Sequence, residues 1–166
     1  MEKVILVDQN DNEVGTEEKI KAHKDGKLHR AFSVFIFNSK NQLLIQKRNK
    51  DKYHSGGLWT NTCCSHPRPE EGIEEAAKRR LKEEMGIECN LERIFSFIYK
   101  KGFENGLTEN ELDHVFIGNC NLPPDPNDTE VESWKWVSNE ELTQDIKENP
   151  EKYTHWFKIA LGNVIN

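Results

Sequence analysis

The alternation of apolar and polar positions divides the chain into strand-like and helix-like stretches. Lys3–Asp8 is a short apolar run that predicts a strand, and Gln9–Glu13 predicts a turn. Thr16 is placed to cap a brief helix over Glu17–Lys24, with acids in its first turn, and Gly26 ends it. Leu28–Phe37 is mostly apolar and rich in aromatics, the pattern of a central strand with His29, Ala31, Ser33 and Phe35 on one face. Asn38–Gln42 predicts a hairpin turn and Leu43–Lys47 its return strand. Asn49–Gly57 is a polar loop, and Trp59–His66 is an extended run stopped by Pro67 and Pro69. Leu91–Tyr99 and Thr108–Asn119 predict partner strands joined by a turn at Lys100–Gly106. On the second, Glu109, Glu111 and Asp113 share one face, with Leu112, His114 and Phe116 on the other. Leu122–Asp128 is a Pro-rich loop and Glu132–Val137 a strand. A capping box at Ser138–Glu141 opens a helix, and Pro150–Asn163 predicts a last helix carrying Trp156.

The helix that precedes Gly86 carries an anomaly. At the helical period, Ile73, Ala76, Ala77 and Leu81 form one apolar stripe. Arg80 and Glu84 fall near the middle of that stripe and lie one turn apart on the same face. An inward Arg and Glu are either a buried ion pair or a binding group.

Strands interleaved with a few helices give a mixed α/β or α+β domain, and 166 residues suit a single domain over 1–166. A net charge of −6 argues against general nucleic-acid binding but leaves room for a small anion held by a local basic cluster. No apolar run is long enough for a membrane span, and the N-terminus lacks a signal peptide's form. Four Cys, two of them adjacent, do not resemble a disulfide framework, so a cytoplasmic location with reduced thiols is expected.

Three constellations could do chemistry. His23, His29 and His66 with Glu109 and Glu111 suit a divalent transition metal. Cys64 and His66, two apart on an extended run, could serve as nucleophile, acid/base pair or metal ligands; Cys63 should point the other way, into the core. Arg80 with Lys19, Arg48 and Lys52 could bind a phosphate or diphosphate, and Glu84 could hold a Mg2+ bridging it. There is no P-loop, Rossmann glycine run or nucleophile elbow.

The run Arg79–Gly86 resembles the second half of the Nudix box, with Glu71, Arg79, Leu81, Glu83, Glu84, Gly86 and Ile87 at matching positions. Ser65 stands where that box opens with Gly, and Arg80 replaces a Glu of its metal-binding set. These departures, with Trp59-Thr-Asn-Thr-Cys-Cys-Ser-His-Pro67, Glu109-Asn-Glu111, Ala22-His23 and Leu28-His-Arg-Ala-Phe32, are similar to the type I isopentenyl-diphosphate isomerases across nearly the whole chain. The resemblance implies a Nudix-type mixed sheet flanked by helices, with an N-terminal extension. It implies that Cys64 and Glu111 are the catalytic pair, that Tyr99 assists Glu111, and that Trp156 lines a hydrocarbon pocket. His23, His29, His66, Glu109 and Glu111 would bind one divalent metal (Zn2+, Mn2+ or Mg2+). Glu84 would hold Mg2+ on the diphosphate, and Lys19, Arg48, Lys52 and Arg80 would bind its oxygens. The expected partner is a small allylic or homoallylic diphosphate, with no nucleic acid and no membrane, on a monomer or weak homodimer. A Nudix hydrolase acting on a nucleoside diphosphate derivative is the alternative, disfavoured by Arg80. A zinc-stabilised module on Cys63, Cys64 and His66 is a third, disfavoured by the lack of Cys-x-x-Cys pairs.

Overall fold

A computed structural model describes residues 2–165. The described residues form one mixed sheet with helices on both faces. The strands are β1 (Lys3–Val7), β2 (Glu13–Glu18), β3 (His29–Phe37), β4 (Gln42–Arg48), β5 (Trp59–Thr60), β6 (Cys63–Ser65), β7 (Glu92–Gly102), β8 (Thr108–Asn119) and β9 (Val131–Ser138). The helices are α1 (Lys19–Asp25), α2 (Ile73–Met85), α3 (Asn139–Glu148) and α4 (His155–Val164), with a 3-10 turn at Pro150–Lys152.

Period-two alternation on the central strands sorts the core into two layers. Phe32, Val34 and Ile36 of β3 and Leu44 of β4 face α2, where they meet Ala76, Ala77, Leu81 and Met85. Phe35, Leu43 and Ile45 face the other way, toward Leu142, Phe157, Ala160 and Leu161 of α3 and α4. β3 runs parallel to β8 in a register that sets His29 opposite Glu111. β7 and β8 form an antiparallel hairpin that sets Tyr99 opposite Glu111 and Lys101 opposite Glu109. A one-residue slip in either ladder would turn these carboxylates to the opposite face.

The expected β3–β4 hairpin is present at its turn but not along its length, since only Phe37 and Leu43 pair. The Trp59–His66 run enters between the two strands. Thr62 Oγ1 accepts from Ile36 N–H at 2.9 Å and donates to the Leu44 carbonyl at 2.6 Å. Asn61 Nδ2 donates to the Val34 carbonyl at 3.1 Å. Two side chains thus satisfy backbone groups that the hairpin would have paired. β4 instead pairs β9 and β5, and β6 takes the vacated side of β3.

Other expectations shift by element. The segment read as the start of a helix at Glu17 ends a strand, β2, paired with β1. The helix begins at Lys19, and its cap is Glu18, not Thr16: the Glu18 carboxylate accepts from Ile20 N–H at 3.1 Å and Lys21 N–H at 2.9 Å. β7 runs on to Gly102, past the expected turn at Lys100. The last helix is broken at Tyr153–Thr154, because Thr154 N–H donates to the Trp59 carbonyl at 3.0 Å. Elsewhere Gly26 and Gly86 end α1 and α2 in the left-handed region, and Ser138 caps α3 through Glu141 N–H. At Gly86 a Cβ would also lie 2.7 Å from the Asp125 carbonyl, so the Pro-rich loop packs tightly on the end of α2.

Candidate active site

Below the start of β3, five ligand atoms from His23, His29, His66, Glu109 and Glu111 lie within 4.8 Å of one another, all on buried residues. They come from four settings: α1 supplies His23, β3 supplies His29, the end of the β6 run supplies His66, and β8 supplies both carboxylates. Backbone carbonyls fix two of the imidazoles. His23 Nδ1 lies 2.7 Å from the Lys19 carbonyl, and His29 Nδ1 lies 2.9 Å from the Lys27 carbonyl. A neutral ring that donates from Nδ1 is an acceptor at Nε2. Yet His23 Nε2 faces Glu109 Oε1 at 2.7 Å, and His29 Nε2 faces Glu111 Oε2 at 3.2 Å. His66 Nε2 sits 2.6 Å from the same Glu111 oxygen. Acceptor facing acceptor calls for a proton or a cation between them, and this donor set suits a divalent metal.

The titration of the cluster follows its contacts. Burial disfavours the His29 imidazolium, but the Glu111 carboxylate outweighs it and the pKa rises. Burial lowers the basicity of His66 despite its bond to Glu111. Burial pushes Glu109 up, yet hydrogen bonds from His23 and His54 hold it well below the usual carboxylate range. Asp113, next on the same face, goes the other way: burial and the Glu111 charge raise it far above its ordinary value. It accepts from Ser33 Oγ at 2.8 Å, and its other oxygen has no partner.

A cavity opens beside this cluster. Cys64, Tyr99, Trp156, Glu109, Glu111 and His66 form its inner wall, and Lys19, Arg48, Lys52 and Arg80 lie around it. Burial keeps Tyr99 protonated, and its hydroxyl donates to Glu111 Oε1 in a short hydrogen bond and to Glu109 Oε2 at 3.3 Å. Burial also pushes the Cys64 thiol up to about 12, against the opposing pull of Arg48, so it is protonated at neutral pH. Arg48 Nη1 lies 3.8 Å from Cys64 Sγ, and its guanidinium stands 5.3 Å from the Trp156 ring centre.

Cys63 points away from the cavity, into the core, 3.6 Å from Glu84 Oε2. Cys63, Cys64 and His66 therefore do not converge, which removes the zinc-module alternative. Arg80 and Glu84 do form the inward ion pair, at 2.8 Å. Glu84 Oε1 accepts from Gln46 Nε2 at 3.0 Å, and Glu84, like the buried His23 and His29, does not line the cavity. Arg79, by contrast, is structural: it clasps Glu71 at 2.7 Å and Glu83 at 2.7 Å outside the site.

Three contributors escaped the sequence reading. His54, in the loop after β4, stacks on Phe103 at 4.8 Å, meets Trp156 edge-on, and lies against Glu109 Oε1. Its neighbour Tyr53 packs edge-on against His23 at 5.2 Å, with Lys19 Nζ 4.5 Å above its ring. Glu130, just ahead of β9, bonds Arg80. Isolated residues in polar loops have no periodic pattern that would mark them.

A mixed sheet between α2 and the α3–α4 layer, with a box-bearing helix beside the site, defines a Nudix-domain protein. The sequence model of the NUDIX domain matches residues 27–157. The fold is shared with DR0079 from Deinococcus radiodurans, at a TM-score of 0.74 and 21% identity over 89% of this chain and 90% of that one. It is shared too with the MutT protein from Methanosarcina mazei, at 0.62 and 20% over 70% and 81%. Among curated relatives, isopentenyl-diphosphate Delta-isomerase 1 of Aromatoleum aromaticum is 53% identical over 99% of this chain and 93% of its own. The isopentenyl-diphosphate Delta-isomerase of Pectobacterium atrosepticum is 49% identical over 98% and 90%. The chain belongs to the isopentenyl-diphosphate Delta-isomerase family.

Proposed function

We propose that this protein interconverts isopentenyl diphosphate and dimethylallyl diphosphate through a tertiary carbocation, supplying isoprenoid biosynthesis in the cytoplasm, and that residues 1–166 act as one unit. The observation that carries this reading is the content of one cavity: a protonated thiol, a carboxylate, an aromatic wall and four cations.

Moving the double bond requires one proton delivered to the terminal methylene carbon and another removed from the carbon on the far side of the cation. Cys64 and Glu111 are the pair proposed to exchange these protons. Tyr99 holds the Glu111 oxygen that would otherwise be free to turn, and Arg48 beside Cys64 favours the thiolate when its proton leaves. The Trp156 face stabilises positive charge without adding a nucleophile. Residues that keep water from the cation include Trp156, which meets His54 edge-on, and Phe103, on which His54 stacks.

Lys19, Arg48, Lys52 and Arg80 are the proposed diphosphate ligands. His23, His29, His66, Glu109 and Glu111 would hold one divalent metal (Zn2+, Mn2+ or Mg2+), which would supply a fixed positive charge at Glu111. Glu84 would share a Mg2+ with the diphosphate once Arg80 turns from it to the phosphate oxygens.

Proton NMR of isopentenyl diphosphate with protein, Mg2+ and D2O tests the reading. Dimethylallyl diphosphate carrying deuterium is expected. Unchanged substrate with folded, metal-loaded protein would overturn it, and phosphate release from nucleotides would then favour the hydrolase.

A further inference from the structure

The cations around the cavity are not idle. Lys19 Nζ pairs with Glu2 Oε2 at 3.0 Å. Arg80 Nη2 lies 2.5 Å from Glu130 Oε1 and 2.8 Å from Glu84 Oε2, which uses both hydrogens of that nitrogen. Lys52 Nζ lies 3.6 Å from the same Glu130 Oε1. One carboxylate oxygen therefore bridges Arg80 and Lys52 at the cavity wall. Arg80 Nε is buried with no partner, as is Arg48 Nε.

Glu130 is held at this spot by backbone. Its N–H donates to the Asn127 carbonyl at 3.0 Å, and Asn127 N–H donates to the Glu84 carbonyl at 2.8 Å. The turn before β9 is thereby clipped to the last turn of α2, at Glu84, four residues beyond Arg80. The Glu130 side chain is 19% exposed, so it has a route to solvent.

We propose that Glu130 is a specificity-determining residue: its carboxylate occupies the anion position between Arg80 and Lys52 and yields to a ligand that can also engage Arg48. This rests on the reading of these cations as diphosphate ligands. A single phosphate group that displaces Glu130 exchanges one anion for another on the same two cations and gains little. A diphosphate keeps the exchanged pairs and adds Arg48, whose guanidinium meets a thiol, a carbonyl and the Trp156 ring but no carboxylate in the free protein. The displaced carboxylate turns outward, because a negative group left beside the diphosphate would repel it. Glu130 thus raises the threshold for all anions and raises it most, relative to gain, for the smaller one.

The test is isothermal titration of the full chain with inorganic pyrophosphate and with inorganic phosphate, each with and without Mg2+. Glu130→Gln keeps the shape and an acceptor for Arg80 while removing the charge. It is expected to bind pyrophosphate roughly 3- to 10-fold more tightly than the natural protein and to bind phosphate with a larger gain. The pyrophosphate-to-phosphate ratio should therefore narrow, and a ratio that holds overturns the specificity role. Unchanged or weaker pyrophosphate binding by Glu130→Gln overturns the proposal, the weaker result marking Glu130 as a ligand of the bound Mg2+. Glu130→Asp, which keeps the charge but withdraws it from Arg80, gives the same comparison if the Gln variant does not fold. Arg48→Ala separates the two layers of the argument. If it abolishes pyrophosphate binding while Glu130→Gln changes nothing, only the role of Glu130 falls. If Arg48→Ala binds like the natural protein, or no form binds at all, the diphosphate cradle and the proposal fall together.

Discussion

His29 and Glu111 sit directly opposite each other on the parallel strands β3 and β8, and their side chains meet at 3.2 Å. The same Glu111 is opposite Tyr99 across the antiparallel ladder with β7. Its two oxygens are therefore spoken for from both sides, Oε2 by imidazoles and Oε1 by a phenol. Such a carboxylate is held in one orientation by three elements of the sheet, which is what a proton-transfer group needs.

Replacing either member of the proposed pair should stop turnover without unfolding the chain. Cys64→Ala and Glu111→Gln are each expected to lower kcat by about 10²- to 10⁴-fold. Deuterium incorporation followed by NMR reads the rate, and thermal unfolding checks the fold. Near-normal turnover in either variant would remove that residue from the chemistry.

Tyr99→Phe isolates the hydroxyl, since the ring stays packed between Phe97 and Trp156. A loss of roughly 10- to 100-fold in kcat with little change in KM is expected, the pattern of an interaction that acts on the reacting group and not on binding. An equal fall in stability and activity would instead mark the phenol as a packing element.

Removing divalent metal should cost stability as well as activity. Glu109 and Glu111 share a buried space, and without a metal only neighbouring imidazoles and the Tyr99 hydroxyl offset their charges. Saturating metal at about 100 times its Kd should stabilise the fold by roughly 2.7 kcal/mol over chelator-treated protein. Thermal unfolding with added Zn2+, Mn2+ or Mg2+ measures this, and a midpoint indifferent to all three would exclude a resident ion at this cluster.

Acid should weaken the Glu71–Arg79 clasp. Hydrogen bonds from Arg79 hold the Glu71 carboxyl below its ordinary value. A depressed folded-state pKa gives stability that is present above the unfolded value, about 4.3, and is lost as pH falls through the folded one. Glu71→Gln is expected to cost about 0.5–1 kcal/mol at neutral pH, with the difference shrinking below about pH 4. Denaturant titrations at pH 7 and pH 3.5 compare the two, and a constant difference would deny the ionic contribution.

Long, regular patterns were legible in the sequence. The helical wheel already turned Arg80 and Glu84 inward, and the period of the strand put Glu109, Glu111 and Asp113 on one face and Cys63 opposite Cys64. What escaped was decided by tertiary contacts. β2 is polar on both faces and exists because β1 pairs it. The separation of β3 from β4 depends on Thr62 and Asn61 bonding their backbones. The break before α4 depends on a carbonyl of Trp59, nearly a hundred positions earlier. His54 and Glu130 became part of the site only when the chain brought distant partners to them.

The loop after β4 spends three consecutive residues on three different tasks. Lys52 reaches the anion side through Glu130, Tyr53 leans on the imidazole of His23, and His54 braces Glu109 while closing the apolar wall with Phe103 and Trp156. Asn105 Nδ2 pins the loop by donating to the Tyr53 carbonyl at 3.0 Å. Grip on the charged head, the inner carboxylates and the dry hydrocarbon end consequently rise and fall as one quantity. A substrate that engages only part of this loop meets a site that is neither anchored nor sealed, and the reactive cation is made only where all three conditions hold at once.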